Sequence, residues 1–273
     1  MKQRSTIKAP RATGTQAISR ALAVLQAFRD ATPEWGLADL SRHLAFTKTT
    51  TLRLLSALER ERMVARSMSN GGYRLGPGAI ELGALAQRSN PLHRAALPEL
   101  EELSRLTGET CSLEVLVDAD ILIVAEVQGH HKLTPAAAVG ERWPAHCAST
   151  GKVLLAAAVE ARGPGVIRTP LARLTPRTIT SPARLATELA RVARQGYATA
   201  VEELAEGYVA VGAPVRNHDG VIIAALSIGG PSSRFTPARL TKFSRLIRET
   251  ADRVSRRLGS GGIEGKGATA RHG

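Results

Sequence analysis

LADLSRHLAFTKTTTLRLLSALERERMVARSMSNGGYRL, residues 37–75, decides the architecture of this chain. It opens on an apolar-periodic segment, Leu37 to Leu44, and after a short break runs without Gly or Pro from Lys48 to Arg62. Two short β-type runs follow, Met63 to Arg66 and Tyr73 to Leu75, around a turn cluster of Ser, Asn and Gly. Helix, tight turn, helix and hairpin in that order make a winged helix-turn-helix, a unit that lays its second helix in a DNA major groove.

The second helix carries most of the information. Thr47 precedes it as a natural N-cap, its hydroxyl accepting from a first-turn N–H. At about 100° per residue, Leu54, Leu55 and Leu58 share one arc, and Thr49, Thr50, Arg53, Ser56 and Arg60 share the opposite one. The leucines pack against Leu37, Leu40 and Leu44 of the preceding helix. Thr51 points among them and is expected to be a buried hydroxyl bonded back to its own helix. The polar arc suits a groove, because threonine reaches base edges or phosphates and arginine grips guanine or phosphate with two donors. The candidate DNA-contacting residues are Arg42, Thr47, Lys48, Thr49, Thr50 and Arg53, with Arg66 and Arg74 on the two arms of the wing. A solvated helix face is the bland alternative.

With these residues in view, the sequence resembles the IclR-type transcriptional regulators. Gln16–Leu22 (QAISRAL), Thr47–Thr50 with Arg53–Leu55, and Tyr73–Pro77 (YRLGP) match the family's DNA-binding half. His146–Lys152 (HCASTGK), Gly196–Ala198, Glu202–Glu203 and Ala225–Pro231 (ALSIGGP) match its effector-binding half. The similarity runs from about Thr15 to Gly259 with the motifs in order. It implies an α+β protein with an N-terminal winged helix-turn-helix, a linker helix and a C-terminal effector-binding domain, GAF-like, with a mostly antiparallel sheet flanked by helices. It also implies a repressor more often than an activator, acting on double-stranded DNA at a near-palindromic operator as a homodimer or a dimer of dimers.

Working outward, residues 1–14 form a basic arm expected to be disordered, residues 15–76 the DNA-binding domain, 77–90 the linker helix, 91–259 the effector domain and 260–273 a disordered tail. Ile18, Leu22, Leu25 and Phe28 recur at helical spacing and are expected to be the buried stripe of the first helix. Residues 1–90 hold 14 Lys+Arg against 6 Asp+Glu, out of 37 and 24 in the whole chain, so the +13 net charge is concentrated where the DNA-binding unit lies. A polyanionic partner fits that distribution. No apolar run approaches the ~20 residues of a membrane span, nothing at the amino end reads as a signal peptide, and Cys111 and Cys147 are too few for a disulfide framework. From those features a cytoplasmic protein is expected.

In the second half, leucines at 97, 100, 103 and 106 mark a helix. Thr110–Val117 and Ile121–Val127 read as a hairpin, and Ala183–Gln195 as a helix stopped by Gly196. Tyr197–Glu202, Val209–Val215 and Val221–Ile228 read as strands, and Thr236–Pro237 opens a last helix with Leu240, Phe243, Ile247, Ala251 and Val254 buried. His130 and His131 are adjacent and cannot chelate one ion from a strand, so no metal and no cofactor is implied.

A loop at Pro144–Cys147 and a helix from Gly151 to Val159 would put Ser149 and Thr150 at a helix amino end, where free N–H groups and two hydroxyls can hold a carboxylate. Gly151-Lys152 is not a phosphate loop, because the glycine and hydroxyl positions that motif needs hold His146 and Val153. The resemblance implies an effector site of Ser149, Thr150, Gly151, Ala200, Ala210, Ser227 and Gly229. Ala200, Ala210 and Gly229 replace side chains that often carry polar atoms, which implies a pocket emptied for a larger or more apolar acid. Two rival readings stand beside the regulator: an enzyme using the Cys147/His146 loop, with no catalytic residue otherwise assigned, and a nonspecific DNA-binding protein.

Overall fold

Residues 15–29, 32–68, 71–130 and 138–260 are described by the computed structural model. They divide into two units along the chain, one through Ser89 and one from Asn90. The expected basic arm and all but the first residue of the expected C-terminal tail lie outside the described residues, as does His131.

The first unit contains α1 (Gln16–Gln26), β1 (Glu34–Trp35), α2 (Leu37–Leu44), α3 (Lys48–Arg60), β2 (Val64–Arg66), β3 (Tyr73–Leu75) and α4 (Pro77–Ser89). Thr47 caps α3 by accepting from the Thr50 amide, and the Thr51 hydroxyl donates to the Thr47 carbonyl at 3.0 Å. The wing has a third strand that was not legible: β1 pairs with β3, giving the order β1-β3-β2. Two residues are too few to show a period.

Leu40 and Leu55 are fully buried against Val24, Ala27, Phe28, Val64 and Tyr73, with Leu37, Leu44, Leu54 and Leu58 packed around them. The expected stripe of α1 is corrected here, because Ile18 and Leu22 are 63% and 51% exposed. Val24, Ala27 and Phe28, at i, i+3 and i+4, compete for the same core and fill it.

The second unit contains α5 (Pro91–Thr107), β4 (Thr110–Val117), β5 (Asp120–Val127), β6 (Arg142–Pro144), a 3₁₀ turn (Ala145–Cys147), α6 (Ser149–Arg162), α7 (Pro182–Gln195), β7 (Ala198–Val201), β8 (Tyr208–Arg216), β9 (Ile222–Pro231) and α8 (Pro237–Arg257). The six strands form one sheet in the order β6-β5-β4-β9-β8-β7, every pair antiparallel. Strand alternation sorts side chains to its two faces. Leu113, Val209, Val211, Ala213, Leu226 and Ile228 meet α5 and α8 through Leu100, Leu103, Phe243 and Ile247. Ile121, Ile123, Ala198 and Ala225 meet α6 and α7 through Val153, Leu154, Leu185 and Leu189.

Turn and cap chemistry sets the boundaries. Asn217 Oδ1 accepts from the amides of Asp219 and Val221 in the β8–β9 turn, and Gly196 ends α7 at φ +75°. Two expectations change. Leu106 is 46% exposed, since Leu100, Leu103 and Thr107 form the inward face of α5. Helix α6 begins at Ser149 with Ala148 as its N-cap, so Ser149 and Thr150 occupy its first turn and neither hydroxyl caps it. Ala148 is extended and the chain turns directly into helix after it, which a propensity argument cannot see.

Candidate functional site

On α3 the side chains of Lys48, Thr49, Arg53, Ser56 and Arg60 are exposed. Among the described residues, Lys48, Thr49 and Arg53 form no hydrogen bond or ion pair, so their donors are available to an outside partner. Thr47 and Thr50 are committed locally, their hydroxyls 2.9 Å apart within the cap. Arg42 projects from α2 and pairs with Asp39 one turn away. Of the two wing arginines, Arg74 is exposed, whereas Arg66 lies 4.2 Å over the ring of its cross-strand neighbour Tyr73 and 3.7 Å from Glu59. Arg66 therefore helps to seat the wing on α3.

In the second unit the sheet brings the expected effector residues together beneath the start of α6. Ser112 on β4 stands opposite Ser227 on β9, and Ala200, Ala210 and Gly229 line up across β7, β8 and β9. Ser149, Thr150, Ala200, Ala210 and Ser227 line one cavity with Glu114, Trp143, Cys147, Leu204 and Tyr208. Its volume is about 10 Å³, room for one water-sized group.

Two of the expected residues have other duties. A Cβ on Gly151 would fall 2.1 Å from the Ala145 carbonyl oxygen, so this glycine lets α6 sit on the preceding turn. The space beside Gly229 is filled by Tyr208, whose hydroxyl would lie 1.9 Å from a Cβ there. The expectation of an emptied pocket is corrected accordingly: the missing side chain makes way for a tyrosine from the neighbouring strand.

The group that the sequence reading missed is Glu114. It is 3% exposed and its carboxylate accepts from Ser112 Oγ at 2.6 Å, from Ser227 Oγ at 3.4 Å and from Thr150 Oγ1. Burial pushes this carboxyl up, and the three hydroxyls only partly offset it. Its one signal was chemical, an acid inside the apolar strand TCSLEVLV. Across the strand from Ser112 stands Glu126, whose Oε2 is buried without a hydrogen-bond partner among the described residues. Desolvation, then the charges of Glu141 and Glu114, push Glu126 up to about 7.

This gives a pH prediction. Glu126 titrates at 4.5 when unfolded and at about 7 when folded, so the folded state holds its proton more tightly and stability falls as pH rises between those values. Glu126→Gln should remove about 1–2 kcal/mol of that loss, a figure discounted for partial solvation. In thermal melts the variant should match the parent at pH 5 and exceed it at pH 8. An equal offset at both would show that Glu126 does not titrate in this range.

Lys152, one helical turn on, faces away from the cavity. Only 1% exposed, its ammonium donates to Thr199 O at 2.5 Å, Glu203 Oε1 at 2.7 Å and Glu188 Oε1 at 3.1 Å. Cys147 and His146 do not form a reactive pair. The thiol donates to Pro144 O at 3.2 Å and is pushed up to about 12, chiefly by burial, while His146 Nε2 bonds Ala172 O at 2.9 Å. A nucleophile needs the opposite shift. Among the described residues no cluster of His, Cys, Asp or Glu could hold a metal ion, and no helix is long and apolar enough to cross a membrane.

A winged helix-turn-helix followed by a second, sheet-based unit is the architecture of a DNA-binding transcriptional regulator. The IclR helix-turn-helix domain matches residues 17–67 and the bacterial transcriptional regulator IclR C-terminal domain matches residues 84–256, so the chain belongs to the IclR family. It is 32% identical over 245 residues to the HTH-type transcriptional regulator XynR of Escherichia coli (strain K12), covering 89% of this chain and 97% of that protein. It is 30% identical over 247 residues to the HTH-type transcriptional repressor AllR of Salmonella typhi, covering 90% and 91%. The crystal structure of an IclR homolog complexed with 4-hydroxybenzoate from Microbacterium hydrocarbonoxydans matches with a TM-score of 0.76 at 28% identity, over 89% of this chain and 98% of that one.

Proposed function

We propose that this regulator is a cytoplasmic repressor that binds a near-palindromic operator as a homodimer or a dimer of dimers, and that a small carboxylate-bearing effector alters that binding by entering beneath α6, where the cavity of about 10 Å³ opens around it. The observation that carries the reading is the exposed, uncommitted face of Lys48, Thr49 and Arg53 on a helix whose other face is packed and capped. Arg42, Thr47, Thr50, Arg66 and Arg74 flank it and complete the contact surface. Exposed Ile80, Leu82 and Leu85 on α4 support self-association, since such side chains are usually covered. Two recognition helices related by a two-fold axis need half-sites about 34 Å apart or a multiple of it.

The effector reading rests on the first-turn amides of α6, a ready acceptor of negative charge, and on the 4-hydroxybenzoate held by the Microbacterium relative. The effector acts only through its different affinity for two arrangements of the protein. The rival enzyme reading is not favoured, because the Cys147 thiol donates to the Pro144 carbonyl and is pushed up by burial, the opposite of what a reactive thiol needs.

The test is an anisotropy titration of the full chain against duplexes tiled from DNA upstream of its own gene, with random DNA as competitor. One tile bound at least ~10³-fold more tightly than competitor is the expected result. Uniform binding that vanishes with salt would establish a nonspecific DNA-binding protein instead.

A further inference from the structure

The cavity beneath α6 is rich in acceptors. Glu114 lines it and is 3% exposed, yet no lysine or arginine pairs with it among the described residues. Lys152 on the same helix is committed to Glu203, Glu188 and the Thr199 carbonyl. The hydroxyls of Ser112 and Thr150 donate to Glu114, and Ser227, 2.7 Å from Ser112 Oγ and 3.4 Å from the carboxyl, shares its one proton between them. Glu126 adds a second carboxyl beside Ser112, with one buried oxygen unpartnered among the described residues. The other ionisable groups at this place, Tyr208 on β8 and Cys147 before α6, are acids that carry no positive charge in either protonation state, and burial pushes both up.

A buried carboxyl with no cation is stabilised by donors, and an incoming acceptor would leave it worse off. The room beside it takes one water-sized group, about 10 Å³. The first-turn amides of α6, by contrast, are donors.

We infer that Glu114 determines effector specificity by accepting a hydrogen bond from a hydroxyl or amino group that the effector carries in addition to its carboxylate. The carboxylate lies toward the first turn of α6 and the donor group occupies the water-sized space at Glu114. This rests on the reading of the cavity as the effector site. It narrows that reading to hydroxy or amino acids and sets plain carboxylic acids apart as weak ligands.

The experiment uses the full chain and matched probes: benzoate, 4-hydroxybenzoate and 4-aminobenzoate, with acetate and glycolate as a smaller pair. Calorimetry and thermal shift are run on the parent and on Glu114→Gln, which keeps the shape of the side chain and an acceptor oxygen. In at least one set, the hydroxy or amino member should bind up to ~10-fold more tightly than its plain parent acid, about 1.4 kcal/mol, the upper end for one hydrogen bond to a carboxyl that burial pushes toward its uncharged form. Glu114→Gln should shrink that ratio to within about threefold. Equal binding of plain and donor-bearing acids by the parent protein, a result that needs no variant, overturns the inference and leaves the carboxylate site standing. Preference that persists unchanged in Glu114→Gln overturns the assignment to Glu114. Binding of none of the probes overturns the carboxylate reading of the cavity and this inference with it, while operator binding stays separately testable.

Discussion

Lys152→Ala should cost about 3–5 kcal/mol, the loss typical of breaking a buried ion pair by removing one partner. The ammonium is 1% exposed and is shared by Glu203, Glu188 and a backbone carbonyl, so alanine leaves the Glu203 carboxylate without its cation, while Glu188 keeps Arg191 at 2.8 Å. Glu203 already has one buried oxygen without a partner among the described residues and is pushed up, first by burial. For a unit of this size the melting temperature should fall by roughly 6–20 °C.

Lys152→Met separates the two causes, because it keeps the apolar stem and removes only the charge. Without the ammonium Glu203 holds its proton to higher pH than in the unfolded chain, so the loss should be smallest in acid and grow as pH rises. Melts at pH 5 and pH 8 measure this. A loss that is small and the same at both would mean that the network is solvated and the lysine dispensable.

Arg53→Ala should weaken operator binding by ~1–3 kcal/mol, a factor of about 5–150, with the melting temperature unchanged. The stability half of that statement follows from the absence of any internal partner for this side chain among the described residues. If Arg53 reads a base, affinity for random DNA should stay constant and one operator position should lose its preference. If it contacts a phosphate, both duplexes should weaken alike and the salt dependence should become shallower. Arg66→Ala gives the contrast: this arginine lies on Tyr73 and against Glu59, so it should lower stability as well as binding. A melting temperature that drops equally in both variants would remove Arg53 from the contact surface.

The DNA-binding unit was legible because its determinants are local. A cap at Thr47, leucines at helical spacing and a glycine-rich turn act within a few residues, and the chain reads them in order. Residues competing for one core were not settled that way. Ile18 and Leu22 have the same periodicity as Val24 and Phe28, and which pair is buried depends on where α2 and α3 lie.

The proposed effector cavity divides similarly. Sequence named Ser149, Thr150, Ser227, Ala200 and Ala210, and these five line one cavity. It could not place Tyr208 in the space beside Gly229, nor collect Ser112, Glu114 and Glu126 from two strands into one patch, because these meet through strand register. By itself, then, the sequence determined the family, the main helices and longer strands and the second helix of the helix-turn-helix, all written in short-range spacing, while the short strands β1 and β6 were not legible. Only the tertiary structure decided which side chains fill the cavity and that a buried acid lines it, since pairing across a sheet brings together residues more than a hundred positions apart, as Ser112 and Ser227 are.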